Sequence, residues 1–195
     1  MKANVVILKI IIHLACLCPL GYYYFLAITD QFGADPVEAI IHFTGISSLN
    51  LLLLTLSVSP LAKLLQQGRL IRTRRLLGLY AALFALLHVM NFFLFELQLD
   101  LSLFVGEVIE RPYITVGMLA FIFINMLAVT SWSKIRRAMG KRWQTLHNLN
   151  YLLTLLVGIH FYWSVKSETI EPSIYLAIIF LLLLWRKNKF QRWLS

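Results

Sequence analysis

KRWQTLHNLNYLLTLLVGIH, residues 141–160, opens on two cations and then carries no formal charge. Two imidazoles, His147 and His160, sit inside the apolar run. A bilayer core of about 30 Å is crossed by roughly 20 helical residues, so this stretch has the length of a transmembrane helix. Ionisable side chains in such a helix are costly and point to function. The alternative is a neutral histidine that only hydrogen-bonds a neighbouring helix.

The rest of the chain fits a membrane setting. Of its 195 residues, 59% are hydrophobic and only 14% charged, well short of the roughly one quarter charged in soluble domains. The expectation is an all-α integral membrane protein of six transmembrane helices. The candidate spans are about 5–28, 46–62, 76–97, 113–132, 146–165 and 173–185. The last is short, and Lys187 and Lys189 would extend it by snorkelling outward. Strand-like alternation is absent, which argues against a barrel. The first run is too long for a signal-peptide core and no small-x-small cleavage site follows it, so it reads as a retained helix. Cys16 and Cys18, two apart on that helix, face different ways and read as small buried side chains rather than a disulfide or metal site.

Charge sets the orientation. With alternating sides, 16 of the 18 Lys and Arg fall on the side of the N-terminus, leaving only Arg111 and Lys166 opposite. All nine acids (Asp30, Asp35, Glu38, Glu96, Asp100, Glu107, Glu110, Glu168 and Glu171) fall on that opposite side. The positive-inside rule places both termini in the cytoplasm. The net charge of +9 therefore serves topology and anionic lipid, not nucleic acid. The connections are short. No internal repeat, low-complexity tract or Gly-rich phosphate loop stands out, so residues 1–195 read as a single membrane domain without a nucleotide module of its own.

Five histidines exist: His13, His42, His88, His147 and His160. At 1.5 Å per residue, His88 lies about 18 Å up the third helix and His160 about 25 Å up the fifth, both on the outer half. His147 lies about 6 Å up, and His13 about 12 Å up the first helix, both on the inner half. Two imidazoles at similar depth on different helices suit the axial positions of haem b, which would leave no open coordination site and favour electron transfer. No H-E-x-x-H and no clustered carboxylates support hydrolytic metal chemistry. Thirteen steps of an ideal helix set His147 and His160 about 140° apart, so they do not stack on one face. One haem at His88 and His160 is expected; a second at His147, with His13 as a weak partner, stays open. Arg72, Arg74, Arg75, Lys141 and Arg142 are candidates for a haem propionate or a flavin phosphate, against ordinary positive-inside anchoring. The 33–45 loop, with Asp35, Pro36, Glu38 and His42, reads equally as a docking or quinone-lining segment and as a capped turn into the second helix. Gly78, Gly117 and Gly158 mark close helix or porphyrin packing.

GADPVEAIIHFTG (33–45), RTRRLLGLY (72–80), RPYITVG (111–117), GKRWQTLHNLNYL (140–152) and HFYWSVK (160–166) together resemble the MsrQ (YedZ) family of the ferric-reductase-like transmembrane superfamily. That resemblance implies a haem b subunit of the bacterial inner membrane, passing electrons to MsrP, a periplasmic molybdopterin enzyme that repairs methionine sulfoxide in proteins. It implies no substrate chemistry in this chain. The family's functional histidines fall on His88, His147 and His160. The quinone pool, FMN and a cytosolic flavin reductase are implied on the donor side. The single histidine on the third helix departs from the two-haem members of the superfamily. Two alternatives stay open: a quinol or ferric reductase with another acceptor, and a non-redox membrane protein.

Overall fold

A computed structural model describes residues 2–29, 31–165 and 167–186. Asp30, Lys166, Lys187, Lys189, Arg192 and Ser195 lie outside the described residues, and with them the snorkelling proposed for the last span. Among the described residues all regular structure is helical. The chain forms two compact units, residues 1–101 and 102–195.

The first unit holds α1 (Lys2–Ile28), α2 (Pro36–Leu64), a 3₁₀ segment (Gly68–Thr73), α3 (Arg74–Asn91) and a π turn (Phe92–Glu96). Asp35 caps α2, its Oδ1 accepting from the Glu38 N–H at 2.8 Å, with Pro36 in the first turn. A missing amide hydrogen costs nothing there, because the first N–H groups of a helix have no intrahelical acceptor. The 33–45 stretch thus contains the capped turn, and α2 begins early enough to carry His42 as a helical residue. α2 packs along α3 through Leu49, Leu52, Leu56, Ala81 and Phe84, all buried. Ser48 Oγ donates to the Ala81 carbonyl at 2.9 Å, a polar tie inside an apolar seam. The fully buried Ala81 gives that seam its closeness. α1 is largely exposed along its length, as a lipid-facing helix would be. Tyr23 stacks on Phe43 with centroids 3.8 Å apart and holds α1 to α2.

The second unit holds α4 (Leu101–Glu110), α5 (Pro112–Thr130), α6 (Ser133–Met139), α7 (Lys141–His147), α8 (Asn150–Ser164) and α9 (Ile170–Trp185). α8 packs between α5 and α9. Gly158 lets α9 approach: a Cβ there would lie 2.5 Å from Ile179 Cδ1. Arg111 joins α4 to α5, its Nε 2.8 Å from Glu107.

Four helices are long and apolar enough to cross a membrane: Val5–Ile28, Pro36–Leu64, Gly68–Glu96 and Pro112–Thr130. The expected fifth span is not continuous, since α7 stops at His147 and α8 resumes at Asn150. The 140° separation of His147 and His160 assumed an unbroken helix and does not carry over. α9 is apolar but has only 16 residues. The connections read as loops from sequence contain two short helices, α4 and α6.

Candidate functional site

His88 and His160 are built the same way, each inside its own unit. His88, near the end of α3, brings Nδ1 to 2.9 Å from the Ile41 carbonyl of α2. His160, on α8, brings Nδ1 to 2.7 Å from the Tyr113 carbonyl of α5. A carbonyl can only accept, so Nδ1 carries the proton in both rings. Nε2 then bears the lone pair that a metal takes, and the tethered N–H fixes both tautomer and ring orientation. Histidine and carbonyl are 47 residues apart in each case.

One turn beyond each accepting carbonyl stands a glycine. A Cβ on Gly45 would lie 3.0 Å from Nδ1 and Cε1 of His88. A Cβ on Gly117 would lie 2.7 Å from Nδ1 of His160. Only a hydrogen at these positions lets the imidazole reach the backbone behind it. The construction recurs at a shift of 72 residues: 41 to 113, 45 to 117, 88 to 160. This local repeat was not seen in the sequence. Gly117 was singled out there without its partner, and Gly45 was passed over. The signal existed as I/Y-x-x-x-G followed by His at matched spacing, but three positions in a long apolar chain are too few to stand out.

His147 is arranged differently. Its Nε2 lies 3.1 Å from Thr130 Oγ1, and that hydroxyl already donates to the Met126 carbonyl at 2.7 Å. Nε2 therefore carries the proton and donates to Thr130. The ring stacks on Trp143 with centroids 3.9 Å apart, and Trp143 Nε1 donates to the Thr130 carbonyl at 2.9 Å. His147 is thus the opposite tautomer to His88 and His160. His13 is exposed on α1, with Nδ1 at 2.5 Å from the Tyr80 hydroxyl.

Of the candidate cations, Arg72, Arg75, Lys141 and Arg142 are exposed and Arg74 is half-buried. Arg72, Arg74 and Arg75 stand at the 3₁₀ segment and the start of α3, while Lys141 and Arg142 open α7. Arg111, beside the residue that holds His160, has its guanidinium pushed further above the usual arginine range, first by the Tyr113 hydroxyl and also by Glu107. It remains a cation at any working pH. Of the glycines read as packing sites, Gly117 faces His160 and Gly158 faces Ile179, while Gly78 meets only Thr55 Cγ2 at an ordinary 4.0 Å. Among the described residues no group of three or more His, Cys, Asp or Glu side chains forms a metal cluster. Cys16 and Cys18 are free thiols.

Two imidazoles, each placed singly in its own unit with the lone pair on Nε2, suit a planar, apolar metal macrocycle better than a clustered ion site. The glycines face the Nδ1 and Cε1 edge of each ring, so each imidazole on its own fits such a group.

The family model for the ferric reductase like transmembrane component matches residues 40–158, which takes in Gly45, His88, Gly117 and His147. A protein of Cronobacter sakazakii named protein-methionine-sulfoxide reductase heme-binding subunit MsrQ is 46% identical over 95% of this chain and 94% of its own. Proteins of the same name from Klebsiella pneumoniae and Salmonella paratyphi B are 44% and 45% identical over 97% and 95% of this chain, and 95% and 94% of their own. The chain belongs to the MsrQ family of ferric-reductase-like transmembrane proteins.

Proposed function

We propose that residues 1–195 form one haem b domain of the bacterial inner membrane, with His88 and His160 as the axial ligands. The domain crosses the membrane six times with both termini in the cytoplasm. It passes electrons outward to a periplasmic molybdopterin reductase of the MsrP type, for repair of methionine sulfoxide. The quinone pool or a cytosolic flavin reductase supplies the electrons. What carries this is the matched tethering of two histidines, each Nδ1 to a main-chain carbonyl so that the lone pair falls on Nε2, in relatives' company named for haem binding.

Haem b, when bound, supplies a one-electron ferric/ferrous couple. The chain's own part is to offer two neutral imidazoles, hold them against rotation and exclude water. The Ile41 and Tyr113 carbonyls each accept the Nδ1–H hydrogen bond, which fixes the tautomer and aims the ring. Gly45 and Gly117 set the distance. Arg72, Arg74, Arg75, Lys141 and Arg142 are offered to propionates, or to the phosphate of FMN. His147 would enter as a ligand to a second haem only after its Nε2 leaves Thr130, which makes it the weaker site.

Pyridine haemochrome on the purified chain tests this directly. His88→Ala and His160→Ala each abolish the main haem, while His13→Ala leaves it intact. Full haem in both of the first two variants sinks the axial assignment. A wild-type value near two haems per chain brings His147 in as a ligand. A value near zero from haem-replete cells favours a non-redox membrane protein.

A further inference from the structure

Arg186 is a cation in an unexpected place. It follows the last residue of α9, at the end the charge distribution assigns to the cytoplasm. An arginine there ordinarily snorkels outward to water and headgroups. Arg186 instead is only 6% exposed and turns inward onto α8. Its Nη1 donates to the Tyr151 hydroxyl at a long 3.3 Å, and its guanidinium carbon lies 5.9 Å from the Tyr151 ring centroid. Among the described residues its Nη2 has no hydrogen-bond partner.

No described carboxylate pairs with it. The acids described in this unit are Glu107, Glu110, Glu168 and Glu171. Glu171 lies at the opposite end of α9, more than about 20 Å along the helix axis. The helix C-terminus and the tyrosine face each favour a cation, but neither supplies an acceptor to Nη2. A second donor is stranded nearby in sequence: Asn150, adjacent to Tyr151, is 8% exposed and its Nδ2 has no partner. Buried charges in proteins are paired, and buried donors are bonded. A buried guanidinium nitrogen with no acceptor, at the level of the headgroups, calls for an oxyanion.

We propose that Arg186 is the anchor of a phosphate-binding site at the cytoplasmic end of α8 and α9, with Tyr151 orienting the guanidinium and Asn150 as a supporting donor. The ligand is the phosphate of a small amphipathic molecule. The source is an anionic phospholipid, since the guanidinium lies at the level of the headgroups. The planar fork of arginine matches two phosphate oxygens at once, and lysine does not. The proposal stands whether or not the axial assignment holds.

The test uses the full-length, haem-loaded chain in detergent, after washing in neutral detergent. Phosphorus per polypeptide and native mass spectrometry report what is retained. FMN fluorescence quenching and exchange into nanodiscs of phosphatidylglycerol or phosphatidylcholine are the two probes. Lys134→Gln, which removes an exposed cation, is the control. We expect the wild type and Lys134→Gln to hold one phosphate-bearing molecule, and Arg186→Gln to lose it with at least a tenfold weaker affinity. Selective retention of phosphatidylglycerol supports the lipid; FMN quenching that Arg186→Gln abolishes, without such retention, overturns it in favour of the nucleotide. Arg186→Lys binds several-fold more weakly than wild type. The proposal is overturned if wild type retains no phosphate and binds neither probe. It is also overturned if Arg186→Gln and Lys134→Gln wash alike, or if Arg186→Gln changes only the haem potential, which would give the guanidinium to a propionate. Where Arg186→Gln does not accumulate, the wild-type result and Arg186→Lys decide; equal affinity of these two overturns it.

Discussion

At the scale of single residues, the glycines carry the sharpest expectations. A methyl group at Gly117 meets the His160 ring at 2.7 Å, and one at Gly45 meets the His88 ring at 3.0 Å. Neither ring can retreat and keep its carbonyl. Alanine is also the better helix former by about 1 kcal/mol, so the helices themselves persist. Gly117→Ala should lose most of its haem and Gly45→Ala a smaller part, with far-ultraviolet circular dichroism unchanged. Haem-to-protein ratio and Soret position check this; full occupancy in Gly117→Ala would contradict it. Much at this scale was legible in the sequence. Depth along the helices singled out His88 and His160, because rise per residue is fixed. The glycines opposite them were not legible, because which helix face meets which is a tertiary fact. Arg186 counted only as one more cytoplasmic cation until its side chain was seen turned inward.

At the scale of elements, two contacts set how α2 and α9 are held. Asp35 is the sole described side-chain cap on α2, and the carbonyl that positions His88 lies less than two turns beyond it. Asp35→Ala should cost about 1 kcal/mol, and Asp35→Asn, which also caps, should cost little. Thermal unfolding in detergent separates them, and a parallel loss of the Soret band in Asp35→Ala would tie the cap to the histidine. Gly158→Val places a side chain where Ile179 already sits and should cost about 1–3 kcal/mol by overpacking. Adding Ile179→Ala should recover part of that loss. Absence of recovery would mean the cost lies in the helix and not in its contact with α9. The long apolar helices were legible, since lipid demands length and apolarity, but α2 begins at Pro36, ten residues before the expected start at 46. α4 and α6 were not, because a short helix between spans has the composition of a loop. The interruption after His147 was missed for a related reason: Asn148, Leu149 and Asn150 break no rule of helix composition, and only the paired turn of backbone bonds shows the stop.

At the scale of the whole molecule, the membrane class was plain from charge content alone. Four helices meet the length and apolarity of a span, and the six-span topology rests on the segregation of cations from acids. A reporter fused after Ser195 should read cytoplasmic, and a periplasmic reading would overturn the even number of crossings. The likeness of the two units escaped the sequence because lipid-facing positions accept any apolar side chain, so only the histidines, the glycines and their spacing record it. That likeness has a consequence for the proposed haem site. A site that gains and loses an electron at every turnover is slowed by whatever must rearrange each time. Here each ring is fastened to main chain inside a helix, not to a rotatable side chain, so neither can swing without shifting the helix behind it. On the proposed haem assignment, little in the ligand set would have to move between the two oxidation states.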